Sequence, residues 1–178
     1  ILFLIPLIII PYVVYNEMSY YYLGENAKGE QANFKIISIN IFSQNEEFQH
    51  LQNYLKDETA DVIVLQELTP SWQKHVEFIR KEYPNYKEEA RPNNFGIAVY
   101  SKIPFDTIIT KNYIDDMHPS LLGELKVAGK PVSILMTHPV PPLPNQARFE
   151  RRNKQYKLMK EEIDAMTNEN IIFIGDFN

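Results

Sequence analysis

The stretch Ile171-Ile172-Phe173-Ile174-Gly175-Asp176-Phe177-Asn178 decides how the rest of the chain is read. A run of apolar residues closed by a glycine has the length and composition of a short buried strand. Gly175 allows a sharp turn at its end. Asp176 and Asn178 flank one apolar residue, so in extended backbone their side chains point to the same side. A carboxylate and an amide together at the mouth of a buried strand suit holding a water and a phosphate oxygen. A core strand is not where a folded domain normally stops. The sequence is therefore expected to be the N-terminal portion of a longer domain.

The same signature recurs upstream. Residues 34–42 (FKIISINIF) are apolar on both faces apart from Lys35, Ser38 and Asn40, as in an inner strand covered on both sides. Residues 61–65 (DVIVL) form a second such run, and Gln66-Glu67 follow directly. Residues 121–127 and 132–137 read as a hairpin closed around Ala128-Gly129-Lys130, and its second arm runs into His138. Further strands are predicted at 96–101 and 105–111.

Between the strands, Phe48, Leu51 and Leu55 recur at helical spacing behind the acids Glu46 and Glu47. Pro70 opens a helix with Trp72, Val76 and Ile79 on one face, ending before Pro84. The clearest helix spans 146–166. Phe149, Tyr156, Met159, Ile163 and Met166 line one face, with Arg148, Arg151, Arg152 and Lys154 largely elsewhere. The proline-rich residues 139–144 cannot be helix or central strand and are read as a stiff surface loop. Strands alternating with helices, interrupted by a hairpin, predict an α/β layered fold with a mixed sheet.

With 178 residues, 44% of them hydrophobic and 23% charged, the chain can build one domain with a core. A net charge of -5 gives no broad basic field, so avid passive binding to nucleic acid is not expected, although a local basic patch would serve a nuclease. The absence of cysteine excludes disulfides, cysteine zinc sites and thiol nucleophiles.

Residues 1–14 (ILFLIPLIIIPYVV) carry no charge. They fall short of the ~20 apolar residues a membrane span needs and read as the tail of a transmembrane helix. Tyr12, Tyr15, Tyr20, Tyr21 and Tyr22 resemble an interfacial belt, so residues 1–22 form the anchor and its interfacial segment. No Lys or Arg precedes Lys28, which favours the non-cytoplasmic side for the chain beyond the anchor. A signal-peptide core would want a small-residue cleavage site, and residues 15–18 (YNEM) offer none. A buried strand pair broken by Pro6 and Pro11 is the remaining reading. Residues 23–33 (LGENAKGEQAN) make a polar linker, leaving 34–178 as the domain.

The strand-end residues form a coherent chemical set. Glu67 is a hard oxygen ligand of the kind Mg²⁺ prefers. Asn40 can fix that carboxylate or bind the metal. His138 can donate a proton near neutral pH. Asp176 can orient or deprotonate a water, and Asn178 can donate to a phosphate oxygen. Together they would serve in-line attack of water on a phosphoryl centre. Each alone has a structural reading: a strand-end amide, a solvated carboxylate, a structural histidine, a turn residue or helix cap.

The ordered segments SINIF (38–42), VIVLQE (62–67), NFGIAVYSK (94–102), THPVPP (137–142) and IGDFN (174–178) resemble the endonuclease/exonuclease/phosphatase superfamily, over about residues 34–178. The apolar N-terminal stretch, the proline-rich loop and Arg152-x-x-Gln155 look like its membrane-anchored bacterial branch, whose catalytic domain is extracytoplasmic. The resemblance implies a DNase-I-like layered α/β sandwich with mixed β-sheets, here incomplete at its C-terminus. It implies a membrane-tethered hydrolase of phosphoric ester bonds, either phosphodiesterase (nuclease) or phosphatase, using Mg²⁺ with Mn²⁺ as a substitute. Glu67 matches the main metal ligand and Asn40 its companion. His138 matches the histidine that contacts phosphate or acts as acid. Asp176 matches the residue that orients the nucleophile, Asn178 a phosphate-contacting amide, and Asn94 a substrate-facing position. The family's late Asp-His motif has no counterpart, since His50, His75 and His118 lie elsewhere in the order, so these 178 residues alone are expected to be inactive. The expected partners are a phosphoester substrate and the membrane, with no obligate protein partner. Two other readings stand: a non-catalytic module whose basic helix around 148–154 holds a phosphorylated partner, and a lipid phosphodiesterase.

Overall fold

The computed structural model describes residues 12, 34–142 and 145–177. The chain divides into two compact units, Ile1–Ala32 and Asn33–Asn178, and the elements named below belong to the second. Apart from Tyr12, the expected anchor (1–22) and linker (23–33) lie outside the described residues. So does Asn178.

The strand β2 (Val62–Gln66) is buried along its whole length. It lies between β1 (Ile36–Asn40), parallel to it, and β4 (Ile97–Ser101), antiparallel. The edge strand β3 (Asn85–Glu89) completes a sheet of order β1-β2-β4-β3. A second sheet follows chain order: β5 (Phe105–Lys111), β6 (Ser120–Val127), β7 (Lys130–Thr137) and β8 (Ile171–Gly175), with β8 parallel to β7.

Strand periodicity separates three apolar layers. Val62 and Val64 face the second sheet and pack with Val99, Leu121, Ile134 and Met136. Ile63 and Leu65 face the other way, toward Leu51 of α1 (Phe48–Asp57) and Trp72 of α2 (Pro70–His75). Leu122 and Leu135 leave the far face of the second sheet to meet Met159 of α3 (Gln146–Ala165). The result is a helix-sheet-sheet-helix sandwich. It explains why residues 34–42 and 61–65 read as apolar on both faces.

Local chemistry sets the boundaries. Thr69 caps α2, its hydroxyl accepting the Trp72 N–H at 3.2 Å, with Pro70 in the first turn. The helix expected to run on toward Pro84 instead passes at Val76 into a 3-10 turn, Glu77–Lys81, which still buries Ile79. Asn145 caps α3 in the same way, accepting from Arg148 N–H at 3.0 Å. The buried stripe of α3 is narrower than its sequence suggests. Gln155 and Met159 are buried, whereas Phe149 is 40% exposed. The hairpin turn is two residues, not three. Ala128 and Gly129 have φ of 50° and 79°, the left-handed pair that matches strand twist, and Lys130 already pairs with Val127.

Sequence reading overlooks β3. Its residues, Asn-Tyr-Lys-Glu-Glu, carry no apolar alternation, and charge suits an edge. Its Glu88 is held by Arg80 at 2.7 Å, Gln73 at 2.7 Å and the Tyr100 hydroxyl at 2.9 Å.

The topology gathers the strand ends. β1 and β2 finish side by side, and antiparallel β4 starts opposite their end, with Gln66 facing Ile97. In the second sheet β7 and β8 finish together, with Thr137 facing Gly175, and β6 starts beside them, with Leu121 facing Met136. Gly175 makes its own pairing with Thr137 possible. At φ +153° it sits so close that an added Cβ would lie 1.8 Å from the Thr137 carbonyl oxygen. Gly129→Ala meets nothing within 4 Å and carries only the left-handed backbone cost of roughly 1–2 kcal/mol. Gly175→Ala adds the collision and is expected to exceed about 3 kcal/mol. Urea unfolding of the two variants checks this order.

Candidate active site

The chain leaves β2 through Glu67, whose φ of 67° is unusual for a side chain of this size. The carboxylate is held at the strand end and is only 8% exposed. Its Oε1 accepts from Asn40 Nδ2 at 2.9 Å and its Oε2 from the Ser43 N–H at 2.7 Å. Both donors are uncharged. Among the described residues no Lys, Arg or His forms an ion pair with Glu67. A buried carboxylate without a cationic partner is costly, so its surroundings ask for a positive charge.

Asn40 links the two sheets. Its amide nitrogen also donates to Asp176 Oδ2 at 2.8 Å, so its two hydrogens serve one carboxylate from each sheet. Its oxygen accepts from the Phe42 N–H at 2.9 Å, which fixes the amide orientation. Asp176 in turn lies 3.9 Å from Nε2 of His138. His138 follows β7 as Asp176 follows β8, so the Thr137–Gly175 approach sets them side by side.

Burial pushes the His138 pKa below the ordinary value of 6.5. The negative charges of Asp176 and Glu67, and the backbone of Asn94, oppose that shift without reversing it. The ring is therefore neutral at neutral pH. Its Nδ1 is buried and meets no partner in hydrogen-bonding geometry among the described residues.

α3 holds both loops that leave the second sheet. Gln155 accepts the Val140 N–H at 3.1 Å, tying down the proline-rich loop after His138. The Tyr156 hydroxyl donates to the Phe177 carbonyl at 2.7 Å, just beyond Asp176. The guanidinium of Arg152 lies 5.2 Å from the ring centre of Phe149 and 5.7 Å from that of Tyr156.

The structure thus brings Asn40, Glu67, His138 and Asp176 together. Asn94 sits on the wall of a neighbouring cleft of about 420 Å³ that Glu67 also lines. Sequence order misses two neighbours. Phe95 lies between two histidine rings, with centroids 5.5 Å from His138 and 4.2 Å from His118. His118 Nδ1 is 2.7 Å from Asp115 Oδ1, and Arg151 pairs with the same carboxylate. His118, set aside by its place in the sequence, is carried to this edge because β6 starts where β7 ends.

A divalent cation fits the donors available. Glu67 and Asp176 are hard oxygen ligands, Asn40 places them on one amide, and each Glu67 oxygen accepts only one hydrogen bond among the described residues. No cluster of three or more His, Asp or Glu is arranged to enclose a metal among the described residues. The set therefore suits an ion that keeps several waters, as Mg²⁺ does, rather than an all-protein cage.

The model of the Endonuclease/Exonuclease/phosphatase family matches residues 37–178. No curated protein matches the sequence. Among solved structures, TDP2 from D. rerio carrying 14 humanizing mutations is 21% identical with a TM-score of 0.70, covering 83% of this chain and 63% of its own. Sphingomyelinase C from Streptomyces griseocarneus is 18% identical with a TM-score of 0.69, covering 82% and 64%. A β-hairpin deletion mutant of beta toxin from Staphylococcus aureus is 14% identical with a TM-score of 0.65, covering 82% and 67%. The chain thus spans less than two thirds of the first two structures, and the shared architecture is the DNase-I-like α/β sandwich. With its matched segment reaching from β1 to the last residue, the chain belongs to the Endonuclease/Exonuclease/phosphatase family.

Proposed function

We propose that this edge of the sandwich is a hydrolytic centre for phosphoric esters, of the phosphodiesterase type, assisted by a divalent cation. The observation that carries the reading is the Asn40 amide, which joins a carboxylate from each sheet and leaves His138 3.9 Å from the second. Glu67, with Asn40, would hold Mg²⁺, for which Mn²⁺ can substitute. When bound, that ion supplies positive charge to the phosphoryl oxygens and offsets what develops in the transition state.

The remaining roles fall to the chain itself. Asp176 orients the attacking water and accepts its hydrogen bond. Neutral His138, carrying its proton on Nε2, donates to a phosphate oxygen beside Asp176. The Asn178 amide is assigned a further phosphate contact, and Asn94 faces the substrate from the cleft wall. The rival reading, a phosphate-binding module on the basic helix, has less support. Of those cations, Arg151 pairs with Asp115 and Arg152 lies over two aromatic rings.

We also propose that the charge-free run at residues 1–14 tethers the domain to a membrane, with the domain on the non-cytoplasmic side. Among the described residues no helix is long and apolar enough to cross a membrane.

The complete protein is expected to hydrolyse bis(p-nitrophenyl) phosphate with Mg²⁺ and to lose that activity in EDTA. Glu67→Gln should lower the rate by a factor on the order of 10² to 10³. An unchanged rate would remove Glu67 from the metal site.

A second expectation concerns pH. Burial lowers the pKa of His118 as it does that of His138, and the nearby Arg148 charge adds to the effect. Each takes up a proton more readily when unfolded, so their share of stability is complete above the ordinary value of 6.5 and falls as pH drops through the lowered values. Urea midpoints measured between about pH 8 and 5 should show a shallower decline for His118→Gln than for the parent chain.

A further inference from the structure

Phe42 is the most exposed large apolar side chain of the described part of the second unit, at 56%. A lone exposed aromatic needs no explanation. This one stands on strained backbone, with φ of 56°. The strain is fixed from several sides. The Phe42 N–H donates to Asn40 Oδ1 at 2.9 Å. Its carbonyl accepts from the Trp72 indole at 3.3 Å and from the Asn45 N–H at 2.9 Å. The next residue's N–H donates to Glu67 Oε2 at 2.7 Å. Releasing the strain at Phe42 would disturb the hydrogen bonds that hold the Glu67 carboxylate and the Asn40 amide. The backbone that carries the ring is thus fixed at the rim by the residues that build the site.

It borders the cleft of about 420 Å³ that also contains Glu67, Gln44, Thr69, Asn93 and Asn94. That volume suits one small ligand unit. Among the described residues no Lys or Arg lines it, so this part of the cleft is not built to follow a polyanionic backbone. Beside the Glu67 carboxylate, its polar groups are the amides of Gln44, Asn93 and Asn94 and the hydroxyls of Ser43 and Thr69, which offer both donors and acceptors, as base edges do. Asn93 spends its oxygen on the Phe95 N–H at 3.0 Å, which turns its amide nitrogen to other partners. An acyl chain here would leave several of these groups unpaired. A nucleobase would stack on the ring and bond to the amides.

We propose that Phe42 is a stacking platform for a nucleobase, and that the phosphoester centre therefore prefers single-stranded, nucleotide-bearing phosphodiesters. The inference rests on the proposed hydrolytic reading and adds its substrate class.

The test compares three probes with the complete protein and Mg²⁺: single-stranded oligothymidylate, glycerophosphocholine and phosphatidylcholine vesicles. Phe42→Ser is expected to raise KM for the oligonucleotide, lowering kcat/KM about tenfold more than for glycerophosphocholine. A second measurement needs no turnover. In EDTA, the indole of Phe42→Trp should be quenched by oligothymidylate and not by glycerophosphocholine, with the parent chain and its buried Trp72 as control. Equal losses on all probes, a loss concentrated on the vesicles, or no quenching specific to the Trp variant would overturn the proposal. Absence of hydrolysis on every probe, with quenching intact, would instead overturn the hydrolytic reading and leave the base platform standing.

Discussion

One amide nitrogen, Nδ2 of Asn40, holds this site together. It donates at 2.9 Å to Glu67 and at 2.8 Å to Asp176, carboxylates that follow strands of different sheets. Two acids brought close repel each other unless something positive or donating lies between them. A neutral amide meets that need without cancelling their charge. The negative field therefore remains available to a cation, which a Lys or Arg at the same position would neutralise.

That geometry depends on how the strands run. A mixed sheet normally scatters strand ends over two edges. Here the two parallel pairs, β1 with β2 and β7 with β8, finish at one edge, and the antiparallel partners β4 and β6 begin there. Gly175 permits the close pairing that sets Asp176 against His138. Gln155 and Tyr156, adjacent on α3, each hold one of the two loops beyond those strands. The Arg152-x-x-Gln155 motif thus has a physical role: its glutamine anchors the loop after His138, and Arg152 lies over the neighbouring rings.

Much of this was legible in the residues. Buried runs with polar ends identify strands, and Asn40, Glu67, His138 and Asp176 each occupy such an end. What escaped did so for separate physical reasons. β3 is a charged edge strand held by side-chain pairs, and edges need no apolar alternation. His118 and Phe95 precede strands rather than follow them, so a search of strand ends passes over them. Only the antiparallel registers, Gln66 with Ile97 and Leu121 with Met136, reveal that these starts share the edge. Phe42 escaped because its importance lies in its backbone conformation and exposure, which no pattern of residue types encodes.

Glu67, with Asn40, is expected to act as a single cation-holding centre. Mn²⁺ binding to the complete protein, followed by electron paramagnetic resonance, tests this without relying on turnover. Saturable binding at one site is predicted, lost in Glu67→Gln and weakened about 10- to 100-fold in Asn40→Ala. Binding of unchanged strength in both variants would contradict it.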